Sequence, residues 1–220
     1  MDWAAIGLSL RLAACTTLLL CVIGLPLAYW LATSRWRWKF LVEAVVALPL
    51  VLPPTVLGFY LLLAMGPSSP LGRGYTAVAG TPLPFTFPGL LAASVVYSLP
   101  FAVRPFAVAF ASVDRRLVEA SWCLGVSRPG TFFRVVAPLA WTGILTGMIL
   151  TFAHTVGEFG VVLMVGGNIP GVTRTVSVSI YDDVQALDYA SAGRTAFLLL
   201  LFSFGALSAT YALQRRAWAV

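Results

Sequence analysis

Charge, histidine and cysteine are all scarce in this chain. Only 10% of its 220 residues are charged, one is His and three are Cys. Soluble domains carry about 25% charged residues, so a soluble globular domain is excluded. Cys15, Cys21 and Cys123 are odd in number and show no metal-ligand spacing. The first two sit in an apolar run, where Cys acts as a small apolar residue. With His154 as the single His, neither a catalytic triad nor a metal cluster is expected. The pattern G-x-x-x-x-G-K-S/T is missing too, so the chain cannot cradle ATP phosphates itself. No enzyme activity, metal or cofactor is expected of this chain.

What is abundant is apolar sequence. Hydrophobic residues make up 60% of the chain, and the mean hydropathy is +0.92. Crossing about 30 Å of hydrocarbon takes about 20 helical residues. Five stretches are long enough: Leu12 to Thr33, Phe40 to Met65, Pro88 to Ala111, Val135 to Val165 and Thr195 to Tyr211. The first is too long for a signal-peptide core and lacks a basic flank, so it reads as a retained helix. With no repeat or low-complexity tract, the expectation is one all-α, polytopic membrane helical bundle covering residues 1–220.

The net charge of +6 follows topology rather than nucleic acid. If the five helices alternate, Arg35, Arg37, Lys39, Arg115, Arg116, Arg128, Arg134, Arg215 and Arg216 share one side. The other side holds Arg73 and Arg174, with Arg11 and Arg194 at helix edges. The positive-inside rule then puts the N-terminus outside and the C-terminus in the cytoplasm.

Prolines predict where helices break. Entering at Phe40, the second stretch reaches Pro49, Pro53 and Pro54 about 14–21 Å in, and the third reaches Pro100 about 18 Å in, with Pro105 beyond. Each Pro removes a backbone donor and clashes with the preceding turn, so both helices are expected to break at similar depth. Broken backbone in a bilayer is tolerated where protein or a water-filled cavity covers it, which marks a pathway or gate. The fourth stretch contains G-E-F-G at residues 157–160. His154 and Glu158 lie four apart and share a helical face near the outer interface, a spacing that lets them pair as a functional unit or stand as an interfacial pair bonded to neighbouring helices or water. Arg104 either snorkels to the interface or offers an anion a charge-assisted contact. Beyond the turn-rich 166–174 segment, residues 175–187 read as a short external helix with an acidic face from Asp182, Asp183 and Asp188.

The remaining polar segment, 113–134, is the most specific feature. D-R-R-L-V-E-A-S-W-C-L favours helix, Gly125 permits a positive φ, and S-R-P-G at 127–130 breaks the chain. Helix, sharp turn, second short helix and then membrane make a knob suited to a groove on a partner. Glu119-Ala120-Ser121, three residues, Gly125, nine residues and V-V-A-P ending at Pro138 resembles the EAA motif of ABC importer permeases. Ser121 stands where that pattern has a second Ala, Val135 where it has Ile and Ala137 where it has Leu. The segments L-P-L-V-L-P-P-T-V-L-G-F-Y-L-L, G-E-F-G and N-I-P-G-V-T-R-T are similar to the molybdate permease subfamily, with sulfate permeases as near relatives.

The resemblance implies a type I importer permease fold and a coupling helix seated in a cytoplasmic ATPase. Glu119, Ala120, Ser121, Gly125 and Pro138 match the motif. It implies a place in a prokaryotic inner membrane, with a second copy of the chain, an ABC ATPase dimer using ATP and Mg, and an extracytoplasmic oxyanion-binding protein as partners. Two other classes remain open on the residues alone: a channel, which leaves the 119–138 spacing unexplained, and a secondary transporter using His154 and Glu158 as a proton relay. The missing internal repeat counts against the latter.

Overall fold

The computed structural model describes residues 1–218, with side chains described through residue 214. Arg215 and Arg216, counted above in the charge bias, have side chains outside the described residues. Among the described residues the fold is all helix, without a strand.

Helix α1 (Trp3–Thr33) starts on an Asp2 cap, whose carboxylate accepts from the Ala5 backbone N–H at 3.0 Å. Its 31 residues extend about 46 Å, longer than a hydrocarbon core is thick. The span begins nine residues before Leu12, the start expected from hydropathy, because the Asp2 cap satisfies orphan N–H groups that the apolar run alone does not address. Ser9, Leu12, Ala13, Thr16, Leu20, Gly24, Ala28 and Leu31 recur at three- and four-residue spacing and form its buried stripe. That stripe packs on α5 (Phe87–Ala111) and α9 (Trp141–Gly157), and these three helices make the core.

Small residues allow the close approach. A Cβ placed on Gly147 of α9 would meet the Phe106 ring of α5 at 2.6 Å, and one on Gly143 would strike the Ala109 side chain. Two glycines four apart on one helical face are the usual device for bringing membrane helices together. Phe106 itself is 1% exposed and lies in the main apolar cluster with Leu20, Val103 and Ile144.

The second stretch is divided into α2 (Lys39–Val51) and α3 (Pro54–Met65), bent by 114° at Leu52–Pro53. Pro54 occupies the first turn of α3, where its missing N–H has no intrahelical acceptor to lose. Pro49 stays inside α2, buried one turn before the break. The third stretch corrects the expectation from proline: α5 runs unbroken through Pro100 and Pro105. A single Pro forfeits one backbone bond, which the packed neighbours of a membrane helix can absorb. The 52–54 segment places two prolines in a row and the helix cannot continue through them.

The fourth stretch breaks instead, twice. α6 (Arg115–Cys123), α7 (Arg128–Thr131), a π-helical turn (Phe132–Val136) and α8 (Ala137–Leu139) precede α9, with a 72° bend between the Arg128–Leu139 segment and α9. Pro138 cannot donate to the Arg134 carbonyl, and the wider π turn falls immediately before it. At the far end α9 stops at Gly157 and α10 (Gly160–Gly166) begins after two non-helical residues, Glu158 and Phe159. Between α3 and α5 lies α4 (Pro70–Ala79), outside the core, with Ser69 as its cap. α11 (Val176–Gln185) and α12 (Tyr189–Trp218) complete the chain, and α12 packs on α9 and α11. Among the described residues three helices are long and apolar enough to cross a membrane, or up to five when each bent pair is one span.

Candidate functional site

Two regions collect the residues with chemical character. The first is the junction of helix breaks. α10 packs on α3 and α5, so the α2–α3 break and the α9–α10 break come together. A Cβ on Gly160, at the start of α10, would meet Pro54 Cβ at 2.7 Å, and one on Gly58 would meet Met164 Cβ at 2.7 Å. The fold therefore pairs the breaks at 52–53 and 158–159, rather than the two proline breaks expected from sequence. Pro53 and Pro54 sit at this junction, whereas Pro49 and Pro100 are packed within continuous helices.

Glu158 caps α9 in extended conformation and is 3% exposed. Ser94 Oγ of α5 approaches the carboxylate, but neither it nor either carboxylate oxygen reaches hydrogen-bond geometry with any side chain or backbone group among the described residues. His154 is engaged elsewhere, correcting the pairing that the spacing allows. Its Nδ1 lies 3.1 Å from Ser98 Oγ, and its ring stacks on Phe101 with centroids 3.8 Å apart. Ser98 Oγ also lies 3.0 Å from Thr155 Oγ1. The pairing fails because the helix ends at Gly157, which turns Glu158 off the face that carries His154. Ser94 and Ser98 on α5, with Thr151 and Thr155 on α9, are the members of this polar seam that sequence reasoning passed over. Their signal was present as two hydroxyl pairs at four-residue spacing. Arg104 does not join them: it is exposed on α5 and forms no ion pair among the described residues.

The second region is the hairpin of α6 and α7, which projects from the end of the bundle where α1 and α5 finish. Asp114 caps α6 through the Arg116 backbone N–H at 2.8 Å. Arg115 Nε donates to Glu119 Oε1 at 2.9 Å on the exposed face. Gly125 has φ = 79° and closes the turn, with its N–H donating to the Trp122 carbonyl. An added Cβ there meets nothing within 4 Å, so backbone conformation selects glycine rather than close packing. Ser127 caps α7 through the Gly130 N–H. Ser121 points inward: it is 7% exposed and bonds Thr131 Oγ1 at 3.0 Å, fastening α6 to α7. Thr131, unmarked in the sequence reading, is the other half of that clasp. Pro138 lies at the hairpin's root rather than on the knob.

Apolar surface covers the knob. Leu124 is 83% exposed and Phe133 72%, with Leu117 and Trp122 also open to solvent. Exposed apolar side chains beside a rigid, capped turn are the composition of a docking surface. At the opposite end Arg174 reaches Asp182 at 3.3 Å, Asp2 at 3.9 Å and Asn168 Oδ1 at 2.7 Å, tying the 166–174 segment to α1 and α11.

Paired helix breaks inside the bundle and a capped hairpin at one end make this a polytopic membrane helical bundle of the kind transport permeases share, and similarity in sequence supplies the class. Residues 24–218 match the family described as binding-protein-dependent transport system inner membrane component, and the chain belongs to it. It is 56% identical to the molybdenum transport system permease protein ModB of Azotobacter vinelandii over 214 residues, 97% of this chain and 95% of that protein. It is 36% identical to ModB of Escherichia coli K12, covering 84% of this chain and 80% of that one. A probable sulfate transport system permease of Prototheca wickerhamii is 30% identical over 90% of this chain and 78% of its own length. Its fold is similar to a chain in the crystal structure of a bacterial alginate ABC transporter in complex with an alginate pentasaccharide-bound periplasmic protein. The TM-score is 0.74 at 15% identity, covering 97% of this chain and 78% of that one.

Proposed function

We propose that this chain is the membrane-spanning permease of an ATP-driven molybdate importer, working as a homodimer on two ATPase subunits. The observation that carries the coupling role is the α6–α7 hairpin, preorganised by the Ser121–Thr131 clasp and the Gly125 turn, with its apolar face unpartnered. Similarity to molybdenum permeases over nearly the whole chain supports the substrate class. Glu119 and Ala120 are exposed on α6 and stand as the ATPase contacts; Ser121, Gly125 and Pro138 shape the hairpin that presents them. The charge bias supports a cytoplasmic hairpin and C-terminus, with the N-terminus outside beneath an oxyanion-binding protein.

Mechanically, ATP-driven closure of the ATPases moves the two hairpins, and α9 transmits the motion from the hairpin's root to the Glu158 break. The paired breaks let α2–α3 and α9–α10 swing between inward- and outward-open packings, a rigid-body transition between two states. The separation of His154 from Glu158 removes the direct relay a proton-coupled carrier would use. The test is uptake by proteoliposomes holding permease, ATPase and binding protein. Molybdate accumulation that requires ATP supports the proposal; ATP-independent, proton-driven accumulation by the permease alone overturns it. Competition by tungstate and sulfate in the same vesicles ranks the oxyanions.

A further inference from the structure

A cleft of about 940 Å³ opens between the last turns of α1 and α5 and the α6–α7 hairpin. Val22, Leu25, Pro26 and Tyr29 of α1 give it an apolar wall, and Phe110 and Phe132, which meet the Tyr29 ring edge-on, continue that wall. Arg35, Arg115 and Arg128 line it as well, and no carboxylate does. Arg115 is paired with Glu119, but Arg35 and Arg128 form no ion pair among the described residues.

The dimensions decide what fits. From Cys21 to Thr33, both lining residues, α1 rises about 18 Å. One leaflet's share of the hydrocarbon is about 15 Å. The arginines stand at the end where α1 leaves the membrane. Trp30 and Trp36 pack there with ring centroids 6.0 Å apart, and Arg37 lies 4.9 Å over the Trp38 ring. Clustered Trp beside Arg marks the headgroup level of a bilayer. An apolar groove one leaflet long with two unpaired cations at its mouth matches an anionic lipid in both halves.

We propose that this cleft binds one anionic phospholipid, its phosphate at the mouth lined by Arg35 and Arg128 and an acyl chain along α1. Since α1 and the α6–α7 hairpin both line the cleft, the lipid joins α1 to the coupling element. The assignment to the cytoplasmic leaflet rests on the orientation proposed above. The binding chemistry itself does not depend on ATP-driven transport. Free phosphate would satisfy the cations and leave the apolar wall empty.

The experiment is native mass spectrometry of the full chain, released from mild detergent with equal amounts of phosphatidylglycerol and phosphatidylcholine. Wild type is expected to retain phosphatidylglycerol selectively. R35Q/R128Q should weaken retention about 30-fold, at about 1 kcal/mol for each basic residue near the headgroup. Val22→Trp, at a position 70% exposed, should displace the acyl chain while leaving both arginines in place. Equal retention of the two lipids, or undiminished phosphatidylglycerol on R35Q/R128Q, overturns the proposal. Displacement of the lipid by inorganic phosphate overturns it in favour of an anion alone. A change in copy number with V22W, without loss of lipid, overturns it in favour of a second protein chain. None of these readings uses transport, so failure of the importer assignment registers separately.

Discussion

Gly125 offers a sharp test of how the hairpin works, because conformation and contact make opposite demands there. Its φ of 79° lies in the left-handed region, while space around a Cβ is open to at least 4 Å. Gly125→Ala therefore adds no clash inside the chain and pays only for the backbone, about 1–2 kcal/mol. Gly125→Asn should cost less, since Asn visits this region more readily than Ala. If ATPase docking needs the turn as seen, that strain lowers the competent fraction and weakens binding by about 5–30-fold for Ala. The measurement is ATPase affinity for the permease in nanodiscs, by surface-immobilised binding, for wild type, G125N and G125A. The expected order is wild type tightest, then Asn, then Ala. Wild-type affinity in both variants would refute the need for the turn. A loss beyond about 1,000-fold in both, with no difference between them, would show that a partner lies directly against Gly125.

Other predictions follow from the same geometry. Glu119→Arg should abolish ATP-coupled uptake while membrane insertion stays intact. The exposed Arg115–Glu119 pair is worth at most about 1 kcal/mol to folding, so normal uptake by this variant would remove Glu119 from the coupling contact. Ser121→Ala should destabilise the hairpin by about 1–3 kcal/mol, because Thr131 keeps a buried hydroxyl without its partner. Ser121→Ala combined with Thr131→Val should recover most of that loss in a protease-protection assay of the hairpin, and no recovery would argue against the clasp. Gly147→Val should cost about 1–3 kcal/mol or more through collision with the buried Phe106 ring. Thermal unfolding in detergent unchanged from wild type would show that α5 and α9 do not approach as closely as described.

The helical class, the apolar spans and the hairpin's punctuation are local properties, so residue order alone carried them. Gly125 and the caps at Asp114 and Ser127 act within a few residues of their own position. The double proline at 53–54 likewise stops a helix whatever surrounds it. Pro100 shows where such reasoning ends. The same residue type breaks nothing in α5, because packing around a membrane helix absorbs one lost backbone bond and hydropathy does not encode that packing. His154 and Glu158 show the limit from the other side. Their four-residue spacing promises a pair only while one helix contains both, and the end of α9 at Gly157 separates them. The meeting of Pro54 with Gly160 joins residues 106 positions apart, and the Arg35–Arg128 mouth joins residues 93 apart. Sequence alone determined the helical class, the interruption at Pro53–Pro54 and the turn of the hairpin at Gly125, because each is set by backbone chemistry within a turn or two. Only the tertiary structure decided which breaks meet, which polar groups stay unpartnered and where the cleft opens. Those depend on which faces pack, and packing is a property of surfaces that distant residues complete together.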